Sequence, residues 1–313
     1  MSLTVRFLGT SASRPTVERN VTALAMIREG ETLLFDCGEG TQRQMMRYGI
    51  SFSLRDIFFT HMHADHILGV IGLCRTMALQ GRQEEMNLWG PAGSDELLQR
   101  AIAIGTEKQH FPIKVTELAQ GDEIKRNGYR ILAYPASHGE RIALGFALIE
   151  EIRLGRFNPD RAREMGIPEG PLWGKLHRGE TVTLPDGREV SSSSIVGSAR
   201  PGRRVVYSGD SRPCQATVDA AKDADLLIHE ATFADEEAPR AVDTGHSTAR
   251  EAAEVARAAN VKQLVLTHLS ARYSMNAAEL IEEARAVFEN TTVARDGMEI
   301  EVPFAPETDS EAG

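Results

Sequence analysis

A layered α/β fold is the architecture this sequence predicts, and three observations predict it. Short apolar runs bounded by turn residues alternate with stretches of helical periodicity along most of the chain. One such run, Ile57-Phe58-Phe59, leads directly into Thr60-His61-Met62-His63-Ala64-Asp65-His66, so three histidines and an aspartate sit on a strand-to-helix turn. Further along, His138, Asp210 and His268 each fall at or just beyond the carboxyl end of an expected strand. In layered α/β folds such ends gather on one rim, where sites are built.

Taken in order, Leu3 to Leu8 alternates as a strand and ends in a polar loop, Gly9 to Asn20. Val21 to Ile27 and Thr32 to Phe35 pair as a hairpin about Glu29-Gly30-Glu31. Asp36-Cys37-Gly38-Glu39-Gly40 closes the second strand and opens a helix to about Tyr48. After the histidine turn, Ile67, Leu68, Val70, Ile71, Leu73, Cys74 and Met77 recur at helical spacing, so a helix starts near Asp65. Met86 to Trp89 reads as a strand and Ser94 to about Ile104 as a helix, with Ser94 or Asp95 as its N-cap. Strands follow at Ile113 to Leu118, Asp122 to Lys125, Tyr129 to Pro135 and Ala143 to Glu150, with His138 on the loop between the last two.

The stretch from Ile152 to Ser194 changes character: glycine, proline, arginine and tryptophan without sustained periodicity. Long segments of this kind are functional or disordered, and its apolar and aromatic content argues against disorder. Between Ile152 and Arg178, the bases Arg153, Arg156, Arg161, Arg163, Lys175 and Arg178 outnumber Asp160, Glu164 and Glu169. Regular structure resumes with a strand from Arg203 to Asp210, a helix from Thr217 to Lys222 and a strand from Asp225 to Glu230. Thr248 and Glu251 form a capping-box pattern that opens an alanine-rich helix and leaves His246 just ahead of it. A strand from Val261 to Leu266, a helix from Asn276 to Phe288 and strands at Thr292 to Ala294 and Glu299 to Val302 complete the expectation. The reading is one domain, about 1–305, followed by an acidic tail, 306–313.

Composition narrows the function classes. Net charge is -10 and the isoelectric point near 5.5, which argues against indiscriminate nucleic-acid binding but not against a nucleic-acid substrate held by a local basic patch or by cations. No apolar run reaches the roughly 20 residues of a membrane span. Cys37, Cys74 and Cys214 are scattered and odd in number, which argues for a reducing, cytoplasmic setting and against a disulfide framework or a thiolate metal site.

Imidazole and carboxylate are common ligands of Zn²⁺. If the turn continues the strand direction, His61 and His63 point the same way at period two, whereas Asp65 and His66, in the first helical turn, would point elsewhere. One ion cannot readily use all four, but two neighbouring ions can. Of the nine histidines, the strand-end rule selects His61, His63, His138 and His268, with His66 in the same turn as the first two; His110 and His177 do not fit it. Two ions about 3.5–4 Å apart repel unless an anion bridges them, and Asp210 is the natural candidate.

The His61-x-His63-x-Asp65-His66 motif with His138, Asp210 and His268 resembles the metallo-β-lactamase superfamily. Within it, the chain is similar to the ribonuclease Z family, the tRNA 3′-processing endonucleases, in their short form. The matching stretches include Leu34-Phe-Asp-Cys-Gly-Glu-Gly-Thr-Gln42, Tyr207-Ser-Gly-Asp210, His229-Glu-Ala-Thr232, Gly245-His-Ser-Thr248 and Thr267-His-Leu-Ser-Ala-Arg-Tyr273, in order over nearly the whole chain. The resemblance implies a four-layer αββα sandwich of two stacked sheets with helices on both outer faces. It also implies two Zn²⁺ per chain, with Mn²⁺ as the alternative. His61, His63 and His138 would hold one ion and Asp65, His66 and His268 the other, with Asp210 between them. A hydroxide supplied by the pair would attack phosphorus in line and remove the 3′ trailer of precursor tRNA, leaving a 3′-hydroxyl. Asp65 would orient or deprotonate that water. His246, steadied by Glu230, would protonate the leaving oxygen. A protruding arm, about 152–190, would grip the tRNA elbow, and the family works as a homodimer. Two other readings stay open from sequence: a small-molecule phosphodiesterase or arylsulfatase-like hydrolase on the same fold, and a non-catalytic zinc- or RNA-binding scaffold.

Overall fold

The computed structural model describes residues 2–304 except 107 and 109. The expected acidic tail lies outside the described residues. The chain first lays down β1 (Leu3–Gly9), β2 (Ala23–Arg28), β3 (Glu31–Phe35), β4 (Asp56–Phe58), β5 (Met86–Pro91) and β6 (Ile113–Leu118). It continues with β7 (Glu123–Arg126), β8 (Tyr129–His138) and β9 (Arg141–Glu150), then the short pair β10 (Val182–Thr183) and β11 (Glu189–Val190). The last strands are β12 (Arg204–Tyr207), β13 (Leu226–Glu230), β14 (Leu264–Thr267), β15 (Thr291–Val293) and β16 (Glu299–Glu301). Two seven-stranded mixed sheets result, ordered β16-β1-β2-β3-β4-β5-β6 and β15-β14-β13-β12-β9-β8-β7, with β10 and β11 apart.

Strand alternation stacks the sheets. In β1, Leu3, Val5 and Phe7 face a core shared with Tyr129, Ile131 and Ala133 of β8, because successive strand residues point to opposite faces. In β3, Leu33 and Phe35 point into that inter-sheet core, while Leu34 points outward to the helices Gly69–Leu79 and Asp95–Ala103. The second sheet carries the helices Ala249–Ala258 and Ala278–Arg285 on its outer face. Buried Ala249, Ala252, Ala253 and Ala256 let the first of these lie close against the strands. The order helix, sheet, sheet, helix is the four-layer sandwich expected from the sequence.

Local signals held at several ends. Arg28 pairs with Glu31 across a two-residue Glu29-Gly30 turn with φ of 51° and 87°, the hand that strand twist favours. The capping box forms in both directions: Glu251 N–H donates to Thr248 Oγ1 at 3.2 Å, and Thr248 N–H donates to Glu251 Oε2 at 2.9 Å. The N-cap of the helix Asp95–Ala103 is Ser94, one of the two expected residues, but its side chain does not supply the bond. Glu117 of the neighbouring strand instead accepts from the N–H groups of Gly93 and Asp95 at 2.9 and 3.0 Å. A nearby carboxylate satisfies the helix start in place of a local side chain. His138 is not on a loop. It is the last residue of β8, paired with Arg141 around Gly139-Glu140, because ladder bonds carry the strand through the polar run Ala136-Ser137-His138.

The segment between β9 and β12 leaves the second sheet through the bridges Arg153↔Arg200 and Phe157↔Val196. It contains the helices Pro159–Glu164 and Pro171–His177 and the β10–β11 hairpin, around a core of its own: Ala162, Ile167, Leu176, Val182, Leu184, Val190 and Ile195. Each helix has proline near its start, where the missing N–H costs nothing.

Candidate metal centre

The turn after β4 is seated by a buried carboxylate. Asp36, at the end of β3, accepts from Thr60 N–H at 2.8 Å, from Tyr207 Oη at 2.9 Å and from His66 Nδ1 at 2.9 Å. Thr60 Oγ1 donates to Asp36 and lies 3.0 Å from His61 Nδ1. The second sheet supplies parallel supports. His138 Nδ1 donates to the carbonyl of Gly245 at 2.8 Å, and His268 Nδ1 faces Thr232 Oγ1 at 3.0 Å. An Nδ1–H held by an oxygen fixes the tautomer and leaves the Nε2 lone pair free. His61, His66, His138 and His268 therefore present Nε2 to a common centre.

Two glycines set the closest approaches. Gly209 has φ +59°, and a Cβ there would meet Thr60 Cγ2 at 2.7 Å, so only glycine lets Asp210 enter. Gly245 has φ +76°, and a Cβ would meet the Gly139 nitrogen at 2.9 Å, so glycine keeps its carbonyl within reach of His138. His268 itself adopts φ +55°, a strained backbone state for a non-glycine residue, held by bonds on both sides of it: Ala231 N–H donates to the Thr267 carbonyl and Leu269 N–H to the Thr10 carbonyl, at 2.9 Å each.

All seven donors chosen from strand ends and the histidine turn meet in one cluster. His61, His63, His138 and Asp210 form one group and Asp65, His66 and His268 another; within each, the donor atoms lie within 4.8 Å of one another. Asp210 faces both. Its Oδ2 is 3.5 Å from His61 Nε2 and 3.4 Å from His66 Nε2, and its Oδ1 is 3.3 Å from His268 Nε2. His268 and Asp65 are 3.4 Å apart, as are His138 Nε2 and His63 Nδ1. Four ligands at the 2.0–2.1 Å of zinc–imidazole or zinc–carboxylate bonds stand about 3.3–3.4 Å from one another, so these spacings are those of a coordination shell. Two fully buried atoms, His66 Nε2 and Asp210 Oδ1, have no hydrogen-bond partner, as a ligand atom should not. The residues fit divalent cations.

The electrostatics agree. Burial pushes His61, His63 and His138 below the usual imidazole range, so they are neutral ligands in waiting. Burial also opposes a proton on His66, but Asp210, Asp36 and Asp65 override it and raise the group well above the ordinary value. Three carboxylates around one imidazole call for positive charge, which a cation can supply in place of that proton. Asp210 is fully buried, which disfavours its charge, yet His268, His66 and His61 hold it well below the carboxylate range.

Beside this cluster stands a second pair. Glu230, fully buried at the end of β13, accepts from Ser211 N–H at 2.8 Å, Ser247 N–H at 3.1 Å and Thr232 Oγ1 at 2.7 Å. It also holds His246 Nδ1 at 2.8 Å, while that nitrogen is 3.9 Å from Asp210 Oδ2. Burial works against the imidazolium of His246, but the Glu230 charge and hydrogen bond raise its pKa to about 9. Cations bound at the cluster would pull it back toward neutrality. His246, Asp210 and His268 also form a close trio, yet the Glu230 bond occupies His246 Nδ1 and suits that ring to proton transfer better than to ligation. His229 occupies the other face of β13, buried with Nδ1 on the Glu230 carbonyl at 2.7 Å, and takes no part.

Sequence reasoning passed over Asp36 as a site residue. Its signal was present in Asp36-Cys37-Gly38, a carboxylate at a strand end, like Asp210. A larger groove of about 910 Å³, lined by Arg47, Tyr48, Arg285 and Arg295, contains none of the clustered donors.

Comparison with known proteins accords with this geometry. Residues 3–152 match the family described as Anti-Pycsar protein Apyc1, and residues 176–269 match the Beta-lactamase superfamily domain. Ribonuclease Z of Gemmatimonas aurantiaca is 61% identical over 98% of both chains. Ribonuclease Z of Haloferax volcanii is 48% identical over 100% of this chain and 98% of its own. The crystal structure of human tRNase Z, short form, superposes with a TM-score of 0.70 at 27% identity, covering 96% of this chain and 100% of that one. A metallo-β-lactamase fold protein, YhfI from Bacillus subtilis, superposes with a TM-score of 0.68 at 19% identity, which speaks for the fold alone. With near-full-length identity of this order and a buried His/Asp cluster able to bind metal, the chain belongs to the ribonuclease Z family and is a hydrolase on the metallo-β-lactamase fold.

Proposed function

We propose that this protein is a zinc-dependent endoribonuclease that cuts the 3′ trailer from precursor tRNA and leaves a 3′-hydroxyl on the tRNA. The observation that carries the reading is the Glu230–His246 contact of 2.8 Å beside Asp210, in a chain of this family. His61, His63 and His138 would hold one Zn²⁺, Asp65, His66 and His268 the second, with Asp210 shared. When bound, the pair would lower the pKa of a water to near 7 and neutralise charge on the phosphate. Asp65, fixed by Ser13 N–H at 2.7 Å and facing His268, orients or deprotonates the attacking water. Burial opposes its charge, but His66 and His268 hold Asp65 well below the carboxylate range, so it acts chiefly by orientation. Water oxygen bonds to phosphorus as the P–O3′ bond breaks. His246 gives its proton to O3′, and Glu230 stabilises the imidazolium before the transfer. The products are tRNA with a 3′-hydroxyl and a trailer with a 5′-phosphate.

The segment about 152–190 acts as a docking arm for the substrate, away from the scissile bond. Its basic residues would make affinity salt-dependent and reconcile an acidic chain with an anionic substrate. The working unit is a homodimer, which sedimentation of the purified chain would test; a lone chain at working concentration would remove it from this reading. No described helix is long and apolar enough to cross a membrane.

The direct test is incubation with a 3′-extended tRNA precursor, with and without chelator. A chelator-sensitive cut beside the discriminator base, leaving a 3′-hydroxyl, is the expected result. Cleavage of small aryl phosphodiesters with the precursor left intact would favour the rival hydrolase. Excising the arm should depress precursor cleavage more than hydrolysis of a small diester; equal losses would contradict docking.

A further inference from the structure

Beyond His246 lies a groove of about 440 Å³ that the reaction as described leaves unused. That volume is within the range that holds a nucleotide-sized ligand, roughly 300–1,000 Å³. Arg14, Arg240 and Arg272 line it, with Phe233, Thr244 and His246. The groove of about 910 Å³ is also lined by arginines, but of the two only the one beside His246 borders the donor cluster. Arg272 is paired with Glu237, whereas no ion pair engages Arg14 or Arg240 among the described residues. Both are exposed; the Arg240 side chain is held in place, and for Arg14 it is the backbone that is fixed. The Arg240 guanidinium lies over the buried Phe233 ring at 5.4 Å. The loop carrying Arg14 is pinned by Arg19, which donates from Nη1 to Thr10 Oγ1 and to the Ala294 carbonyl at 2.7 Å each. Ser11 Oγ then donates to the Arg14 carbonyl at 2.8 Å.

The polarity of the cut says what such a groove should hold. In-line displacement puts the attacking and leaving oxygens on opposite sides of phosphorus. If a 3′-hydroxyl is left, the leaving oxygen is O3′, which belongs to the nucleotide upstream of the cut. The proton donor must touch that oxygen, so the upstream nucleotide lies on the His246 side and the trailer lies away from it. We propose that this groove seats the last nucleotide of the tRNA body, and that Arg14 and Arg240 bind the phosphate on its 5′ side. The inference rests on His246 being the donor to O3′. It makes the two arginines positioning residues that set where the cut falls.

The test uses two product-like inhibitors of the full-length protein. One is mature tRNA ending in a 3′-hydroxyl at the discriminator; the other is a 5′-phosphorylated trailer oligonucleotide. In the Arg14→Ala/Arg240→Ala double variant, affinity for mature tRNA should fall roughly tenfold or more, as expected for losing charge-assisted bonds. Its log–log salt dependence should become shallower by about 0.7 per lost contact. Trailer affinity should change far less. The Arg14→Lys/Arg240→Lys variant should recover part of the loss, which a packing role would not allow and which guards against misfolding of the alanine form. Loss of trailer binding with mature tRNA binding intact would reverse the polarity and overturn the proposal, as would unchanged or equal affinities for both. Failure of the wild-type protein to cut the precursor would instead count against the function above, since inhibitor binding is measured independently of cleavage.

Discussion

Replacing Asp210 with alanine is expected to lower precursor cleavage by at least about 10³-fold and to leave fewer than two metal ions on each folded chain. The reason is its position. Among the described residues, Asp210 is the one carboxylate within 3.5 Å of donors from both halves of the cluster: His61 and His66 through Oδ2, His268 through Oδ1. Without it, two cations would face each other across a buried gap with no anion between them. The imidazoles would remain, supported by Asp36, Gly245 and Thr232, so one ion could still bind. Elemental analysis of refolding-competent protein, together with cleavage rates, reads both effects. Two ions per chain and activity within about tenfold of wild type would show that the bridge lies elsewhere.

His246→Ala should produce a loss that depends on the leaving group. An O3′ alkoxide leaves poorly without a proton, so precursor cleavage should fall by roughly 10²–10⁴. A nitrophenolate leaves without one, so hydrolysis of bis(p-nitrophenyl) phosphate should fall much less. Equal losses on both substrates would assign His246 to structure or metal binding. Glu230→Gln tests the same pair through pH. A general acid must be protonated to act, so activity is lost as pH rises through the His246 pKa. The Glu230 charge raises that pKa, to about 9 in the geometry seen here. Removing the charge lowers it, so the alkaline limb of the rate profile should move to lower pH. Bound cations depress the value in both proteins, which leaves the direction of the difference intact.

Much of this centre was legible because its residues obey local rules. His61, His63, Asp65 and His66 lie within six positions after an apolar strand, and Asp210 and His268 close two others. Such placement survives errors of a residue or two in strand limits. His138 was read as a loop residue because Ala136 and Ser137 carry no alternation, yet ladder pairing with β9 extends the strand to it. Asp36 was missed because it touches the centre only through Thr60, His66 and Tyr207, contacts made across 24 to 171 positions of sequence. Its strand-end position is a local signal, but the partners that give it a role are distant in sequence and leave none. Ser94 does stand at the N-cap, as its position suggested, but the acceptor for the nearby N–H groups is Glu117, from another strand, which no local pattern shows. The helices between β9 and β12 are too short, at six and seven residues, to show a period.

The donors also straddle the sandwich: His61, His63, Asp65 and His66 follow β4 of the first sheet, while His138, Asp210 and His268 close strands of the second. Ions lodged on that seam would brace the halves against sliding, and a ligand that favours the folded chain raises its melting point by mass action. Thermal melts in zinc-buffered solution should climb with free zinc, so the protein would double as a gauge of its own loading; a melting point indifferent to the metal would mean the sheets need no such rivet.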